Sequence, residues 1–278
     1  VLRRGRSGPR GMLVPAVAVL AAANVVNNRV APRLGPVTSA AATGALVLLA
    51  RRSGLSWAEM GFERRRRGAV IGGALATAVA AAYAGGLATS RTRALLLDDR
   101  ALALSRARLL EEILVQVPIG TVLLEEVAFR GVLPAALGRA YGPVAAVAGS
   151  SALFGLWHIL PSLDMADANP ALGRLTAGES PGRATETAPP GEAGTSGGRG
   201  VPAAAVVVGS VISTGVVGVF FQELRWHGGL LAPSLTHLAT NSLGYVAARV
   251  ARRVSRAKEG KAAQAKAQAV VTTWNASA

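Results

Sequence analysis

The chain of 278 residues contains no cysteine, which excludes disulfides, a thiolate zinc site and a cysteine nucleophile. Charge is also scarce, at 16% of residues against 51% hydrophobic, and the scarcity is concentrated. No charged residue occurs between Arg10 and Arg29, Arg33 and Arg51, or Arg67 and Arg91. The same holds between Arg139 and Asp164, Arg199 and Glu223, and Arg225 and Arg249. A bilayer core about 30 Å thick is crossed by roughly 20 apolar helical residues, and these tracts have that length. They are rich in Ala, Val, Leu and Gly, which suits close helix packing in lipid. The sequence also lacks an internal repeat and any Gly-rich loop of the P-loop or dinucleotide type.

The fold class that follows is all-α, a polytopic transmembrane helix bundle of about seven spans. Six are the charge-poor tracts at about 11–28, 34–50, 68–90, 140–162, 201–222 and 226–248. The seventh is an interrupted run at about 113–138. Residues 1–10 form a basic N-terminal segment, 11–250 the bundle and 251–278 a basic C-terminal tail. The first apolar segment follows Arg3, Arg4, Arg6 and Arg10, as a signal peptide would. It lacks a small-x-small cleavage site and runs at once into another span, so it reads as retained. Residues 163–200 are rich in Gly, Pro, Thr and acid. That composition buries little apolar surface, so they are expected to form a mobile extramembrane loop.

The net charge of +15 raises nucleic acid as a partner, most of all at Arg64-Arg65-Arg66-Arg67. Basic loops between spans account for it better, and such loops attract anionic lipid headgroups; no nucleic-acid partner is expected. The early basic loops place the N-terminus on the cytoplasmic side, whereas the tail from Arg249 to Lys266 argues the reverse. An Ala/Arg-rich membrane protein of this kind points to a bacterial plasma membrane.

Within the interrupted span, Val122 to Gly131 reads VLLEEVAFRG. An ionisable group near the centre of a transmembrane helix costs about 2.5–3.5 kcal/mol or more and marks a functional site by default. Glu126 and Arg130 stand at i and i+4 and can pair. Neighbouring residues of a helix point about 100° apart, so Glu125 is expected to face elsewhere. Glu111-Glu112, an equally tight acid pair beside Arg106 and Arg108, reads as interface charge at the start of the span. Two of the three histidines lie in charge-free spans. His158 follows Phe154 by one turn, and His237 precedes Asn241 by one turn. His227, beside Trp226, reads as interfacial.

A glutamate, two histidines and an asparagine on three spans can run hydrolysis. Glu125 would act as general base on a water that attacks an amide carbon. His237 and Asn241 would donate hydrogen bonds to the developing oxyanion, and His158 would hold the water or protonate the leaving amine. Glu125, His158 and His237 equally form the three-ligand set of a hydrolytic site for a divalent metal such as zinc. The sequence leaves the glutamate-dependent and metal-dependent forms both open, and no organic cofactor is expected.

Glu125-Glu126-x-x-x-Arg130, Phe154-x-x-x-His158 and His237-x-x-x-Asn241, in that order on successive spans, resemble the CPBP family of intramembrane endopeptidases. That family comprises the type II CAAX prenyl proteases and the Abi-like bacteriocin-processing or self-immunity proteins. Phe129-Arg130-Gly131-Val132-Leu133, Leu224-Arg225-Trp226-His227-Gly228-Gly229-Leu230 with Pro233, and Trp57-Ala58-Glu59-Met60-Gly61-Phe62 add to the likeness, and its core covers about 118–245. The resemblance implies an endopeptidase acting on a membrane-associated protein or peptide. Glu125 would be its water-activating base, with His158, His237 and Asn241 around the scissile carbonyl. Arg130 would support Glu126, and Phe154 would support His158. The polar insert at 163–200 departs from the family pattern by its length. Two other classes remain: a non-catalytic membrane scaffold or immunity protein of the same fold, and a transporter, which the lack of paired repeats disfavours.

Overall fold

Proline stands at the first turn of several apolar tracts, where its missing N–H costs nothing and its fixed φ suits a helix. A computed structural model of the chain describes residues 8–184 and 202–277, and among them no strand occurs. Helix α1 spans Pro9–Val25 and runs on through a π turn at Val26–Val30. Helix α2 is Gly35–Arg52 and α3 is Arg65–Gly86. Helix α4 is continuous over 106–141, but its middle widens into π-helical stretches at Glu112–Leu123 and Val127–Val132. The single α turn between those stretches is Leu124–Glu126. Helices α5, α6 and α7 are Pro143–Trp157, Ala203–Gly228 and Leu231–Ser277.

Five stretches are long and apolar enough to cross a membrane: Pro9–Val30, Pro32–Arg52, Arg65–Gly86, Pro143–Leu163 and Ala203–Gly228. The other two expected spans fall in α4 and α7. Both are less apolar because they carry Glu125, Glu126 and Arg130 on one helix, and Thr236, His237 and Asn241 on the other. Large apolar side chains such as Val14, Val70, Val144, Ile212 and Val216 point outward and are exposed, while Glu126, Arg130 and Gln222 are buried. That inside-out distribution is the one a lipid-embedded bundle requires. The chain is a polytopic all-α membrane bundle.

The boundary between the last two spans differs from the sequence reading. Instead of ending near residue 222, α6 continues through Leu224-Arg225-Trp226 to Gly228, and the break falls at Gly229, whose φ is +64°. Gly229 adopts that left-handed backbone without strain, and an added Cβ there would collide with the Glu63 carbonyl. The next residue, Leu230, donates its N–H to Gly61 O at 2.9 Å. The α6–α7 link is thus fastened to the 53–64 segment, and α7 starts at a fixed place.

The expected loop at 163–200 is partly folded. Short helices occupy Met165–Ala168, Pro170–Thr176 and Pro181–Ala184. The Asn169 side chain caps the second of them by accepting from Leu172 N at 2.9 Å, and it donates to Leu95 O at 2.9 Å. Capping and docking supply order that composition alone does not reveal. Residues 185–200 of that loop, and residues 1–7 of the basic N-terminal segment, lie outside the described residues. The tail from 251 continues α7, a helix about 70 Å long at 1.5 Å per residue, and is exposed over 256–269.

Candidate active site

The bundle interior gathers the charged residues of α4 against His237 of α7. Glu125, Glu126, Arg130 and His237 are all buried, at 6%, 1%, 0% and 7% exposure. Glu126 Oε1 accepts from His237 Nδ1 at 2.7 Å and lies 3.5 Å from Arg130 Nη1. Glu125 Oε2 lies 3.8 Å from His237 Nε2, and this oxygen has no hydrogen-bond partner among the described residues. One imidazole therefore stands between two carboxylates. The expectation that neighbouring acids must serve different places is corrected here. Although their Cα–Cβ directions diverge, each side chain reaches a different nitrogen of the same ring. Nor is Glu126 merely the neutraliser of Arg130, since its closer contact is with His237.

Arg130 is held by rings rather than by hydrogen bonds. Its guanidinium carbon lies 3.8 Å from the centroid of Phe154 and 4.8 Å from that of Phe221, and its three nitrogens make no hydrogen bond among the described residues. Aromatic faces attract a desolvated cation by about 2 kcal/mol or more, so Phe154 and Phe221 help to keep the charge in the interior. Phe221 also packs edge-on against the His237 ring, with centroids 5.6 Å apart.

His158 is half-buried at the end of α5. Its Nδ1 stands 2.8 Å from Phe154 O, and its ring meets the Phe154 ring edge-to-face at 4.6 Å. A carbonyl only accepts, so Nδ1 is the donor of this bond and Nε2 is left as the acceptor of a neutral ring. No hydrogen bond or ion pair joins His158 to either carboxylate among the described residues. Asn241 is half-buried one turn beyond His237 on the same helix face, and among the described residues no hydrogen bond joins it to either acid. The structure thus brings together Glu125, Glu126, Arg130, Phe154 and His237, with His158 and Asn241 at the margin.

Sequence reasoning missed Trp157. Its Nε1 donates to Glu125 Oε1 at 2.9 Å in a buried position. An indole N–H in an apolar span needs an acceptor, which was the available signal. Gln222 was also missed: it donates to Phe129 O at 2.6 Å and accepts no share of the chemistry. It satisfies a carbonyl in the π stretch of α4. His227 is exposed and bonded to Glu223 at 2.7 Å, a surface pair away from the site. Outside the spans, burial alone would raise the Glu59 carboxyl, but hydrogen bonds from Ser56 and the Arg139 guanidinium hold it below its ordinary range.

A cavity of about 250 Å³ reaches Glu126 from the surface. Phe62, Leu123, Val127, Leu230 and Ser234 line it, and Glu63 and Arg65 stand on its wall. As for a metal, no three His, Asp or Glu side chains among the described residues stand close enough to share one ion. Glu125 and His237 face each other, but His158 does not complete the set.

A multispanning helix bundle that buries a carboxylate pair, an arginine and a histidine, with Glu126 on the wall of a cavity, has the side chains that hydrolysis within a membrane needs. Residues 112–243, a little under half of the chain, match the family model described as Type II CAAX prenyl endopeptidase Rce1-like. That segment, which holds Glu125, Glu126, Arg130, Phe154, His158, His237 and Asn241, is similar to a family of intramembrane endopeptidases. No match was found among curated proteins or among solved structures.

Proposed function

We propose that the protein hydrolyses a peptide bond of a membrane-associated protein or peptide with water activated by Glu125. The observation that carries this is the Oε2 of Glu125, a buried acceptor without a hydrogen-bond partner among the described residues, 3.8 Å from His237 Nε2; a water that satisfies it would lie beside the two atoms rather than between them. Oε2 takes a proton from that water, and its oxygen adds to the amide carbon. The carbonyl oxygen gains the charge and receives hydrogen bonds from His237, when its Nε2 carries a proton, and from the Asn241 amide. Collapse breaks the C–N bond. The leaving nitrogen takes a proton from Glu125 or through His158, giving a carboxylate and an amine. Glu126 serves as the residue that fixes the His237 ring.

The cavity beside Glu126 supports an apolar substrate side chain, given Phe62, Leu123, Val127 and Leu230 on its wall. Arg64 to Arg67, exposed at the start of a spanning helix, suit anionic lipid headgroups at the interface. A bacterial plasma membrane is the setting this reading assigns. The donor positions favour a reaction without metal, so no step is routed through one. Purified protein in proteoliposomes is expected to cut a peptide from its library at a rate unchanged by a chelator. Cleavage lost to the chelator and restored by zinc would contradict the glutamate-only form, and absence of cleavage from every peptide and lysate protein would contradict the reading as a whole.

A further inference from the structure

The first helix, which lies outside the matched segment, is connected to the carboxylate that the proposed reaction uses. Helix α5 ends at Trp157, where last-turn carbonyls lack intrahelical partners. Asn24 of α1, buried at 9% exposure, donates its Nδ2 to Trp157 O at 2.8 Å. Its own Oδ1 accepts from Asn28 Nδ2 at 2.8 Å, so the amide is held at both ends. The Trp157 ring is braced edge-on against Phe129, centroids 5.6 Å apart. From that fixed ring, Nε1 holds Glu125 Oε1 at 2.9 Å and leaves Oε2 toward His237.

Burying Asn24 in a spanning helix has a cost, and its amide touches no reacting atom. A role confined to joining two helices would leave unexplained why the carbonyl it fastens belongs to the residue that binds Glu125. We infer that Trp157 and Asn24 are positioning residues for Glu125. The indole N–H fixes one carboxylate oxygen so that the other is aimed at the water, and Asn24 fixes the main-chain carbonyl of the residue that carries the indole. Because His158 follows Trp157 directly, the same Asn24 bond anchors the turn that presents His158. The inference rests on the proposed hydrolysis for its kinetic consequence and on geometry alone for the placement of Glu125.

Two readouts separate these parts. In proteoliposomes, Trp157→Phe keeps the aromatic body and removes the N–H. It is expected to lower kcat by about 10–100-fold, the size of loss that outer hydrogen-bond partners of ligands cause at metal sites, with KM unchanged. Asn24→Ala should lower kcat in the same direction, and the double variant should lose little more than Trp157→Phe alone, since both act through one carboxylate. Asn24→Gln should recover part of the loss. Independently of any cleavage, a hydrophobic carbodiimide followed by mass spectrometry reads each glutamate directly. Glu125 should be labelled several-fold faster in Trp157→Phe and Asn24→Ala than in the parent protein, with Glu126 unchanged and thermal unfolding similar. Unchanged Glu125 labelling, or additive losses in the double variant, would overturn the positioning role. A parent protein that cuts nothing while Glu125 labelling still responds would count against the hydrolytic function alone.

Discussion

Replacing Glu125 by glutamine is expected to lower kcat by about 10³-fold, within the range of about 10²–10⁴ for loss of a general base. Glutamine preserves the size of the side chain and its carbonyl can still accept from Trp157 Nε1. What it removes is the oxygen that takes a proton. Binding of an apolar peptide in the cavity beside Glu126 should persist, so KM should change little while kcat falls. Glu126→Gln separates the two acids. A glutamine oxygen can still accept from His237 Nδ1, so that variant should retain more activity than Glu125→Gln. The measurement is steady-state cleavage by both variants in the same lipid. Equal residual rates would contradict the division of labour between the two carboxylates.

The second large effect is on stability. Arg130 has its entire side chain out of reach of solvent, with Glu126 as its only ion-pair partner among the described residues. Removing one member of a buried pair leaves a charge without its counterpart, which costs about 3–5 kcal/mol. Arg130→Leu is therefore expected to lower the unfolding midpoint in detergent strongly. The guanidinium makes no hydrogen bond of its own among the described residues, so the cost arises from stranding Glu126 rather than from lost polar contacts. Combining Arg130→Leu with Glu126→Gln removes both charges and keeps an acceptor for His237. That double variant should recover most of the midpoint. A double variant no more stable than Arg130→Leu would show that ring packing on Phe154 and Phe221, not charge pairing, dominates the position.

The legibility of the site in the sequence follows from the cost of charge in lipid. Glu125, Glu126 and Arg130 were visible because an ionisable residue inside an apolar tract needs a reason, and His237 because it interrupts another. Pairing of Glu126 with Arg130 was readable from an i,i+4 spacing. The meeting of both acids on one imidazole was not, because it depends on how α7 docks against α4, and helix docking is set by long-range packing. Trp157 stayed hidden for a related reason: an indole donor announces that it needs an acceptor but not which one. Asn24 is one of three asparagines close to the end of α1, and only its contact with the end of α5 sets it apart.

On the fold, apolar length gave the spans and their order, while chain turns were less readable. The α6–α7 break depends on Gly229 fitting beneath the 53–64 segment, a contact some 165 residues away along the chain. The 163–184 stretch looked too polar to fold, yet Asn169 caps one of its helices and ties it to Leu95. The π-helical widening around Leu124–Glu126 also has no clear composition signal. Such wide turns recur at functional sites, and here they bracket the acid pair.

Direct attack by water has one rival that the geometry makes specific: Ser234 lines the same cavity as Glu126 and could serve as a nucleophile. Cleavage of one peptide in ¹⁸O-water with hydroxylamine present distinguishes the two routes. With water activated by Glu125, each new C-terminus should carry one solvent oxygen, no hydroxamate should form, and intact-protein mass should show no acyl adduct at any time in turnover. A hydroxamate product, or an acyl group on Ser234, would contradict the assignment of Glu125 as the base that delivers water to the peptide bond.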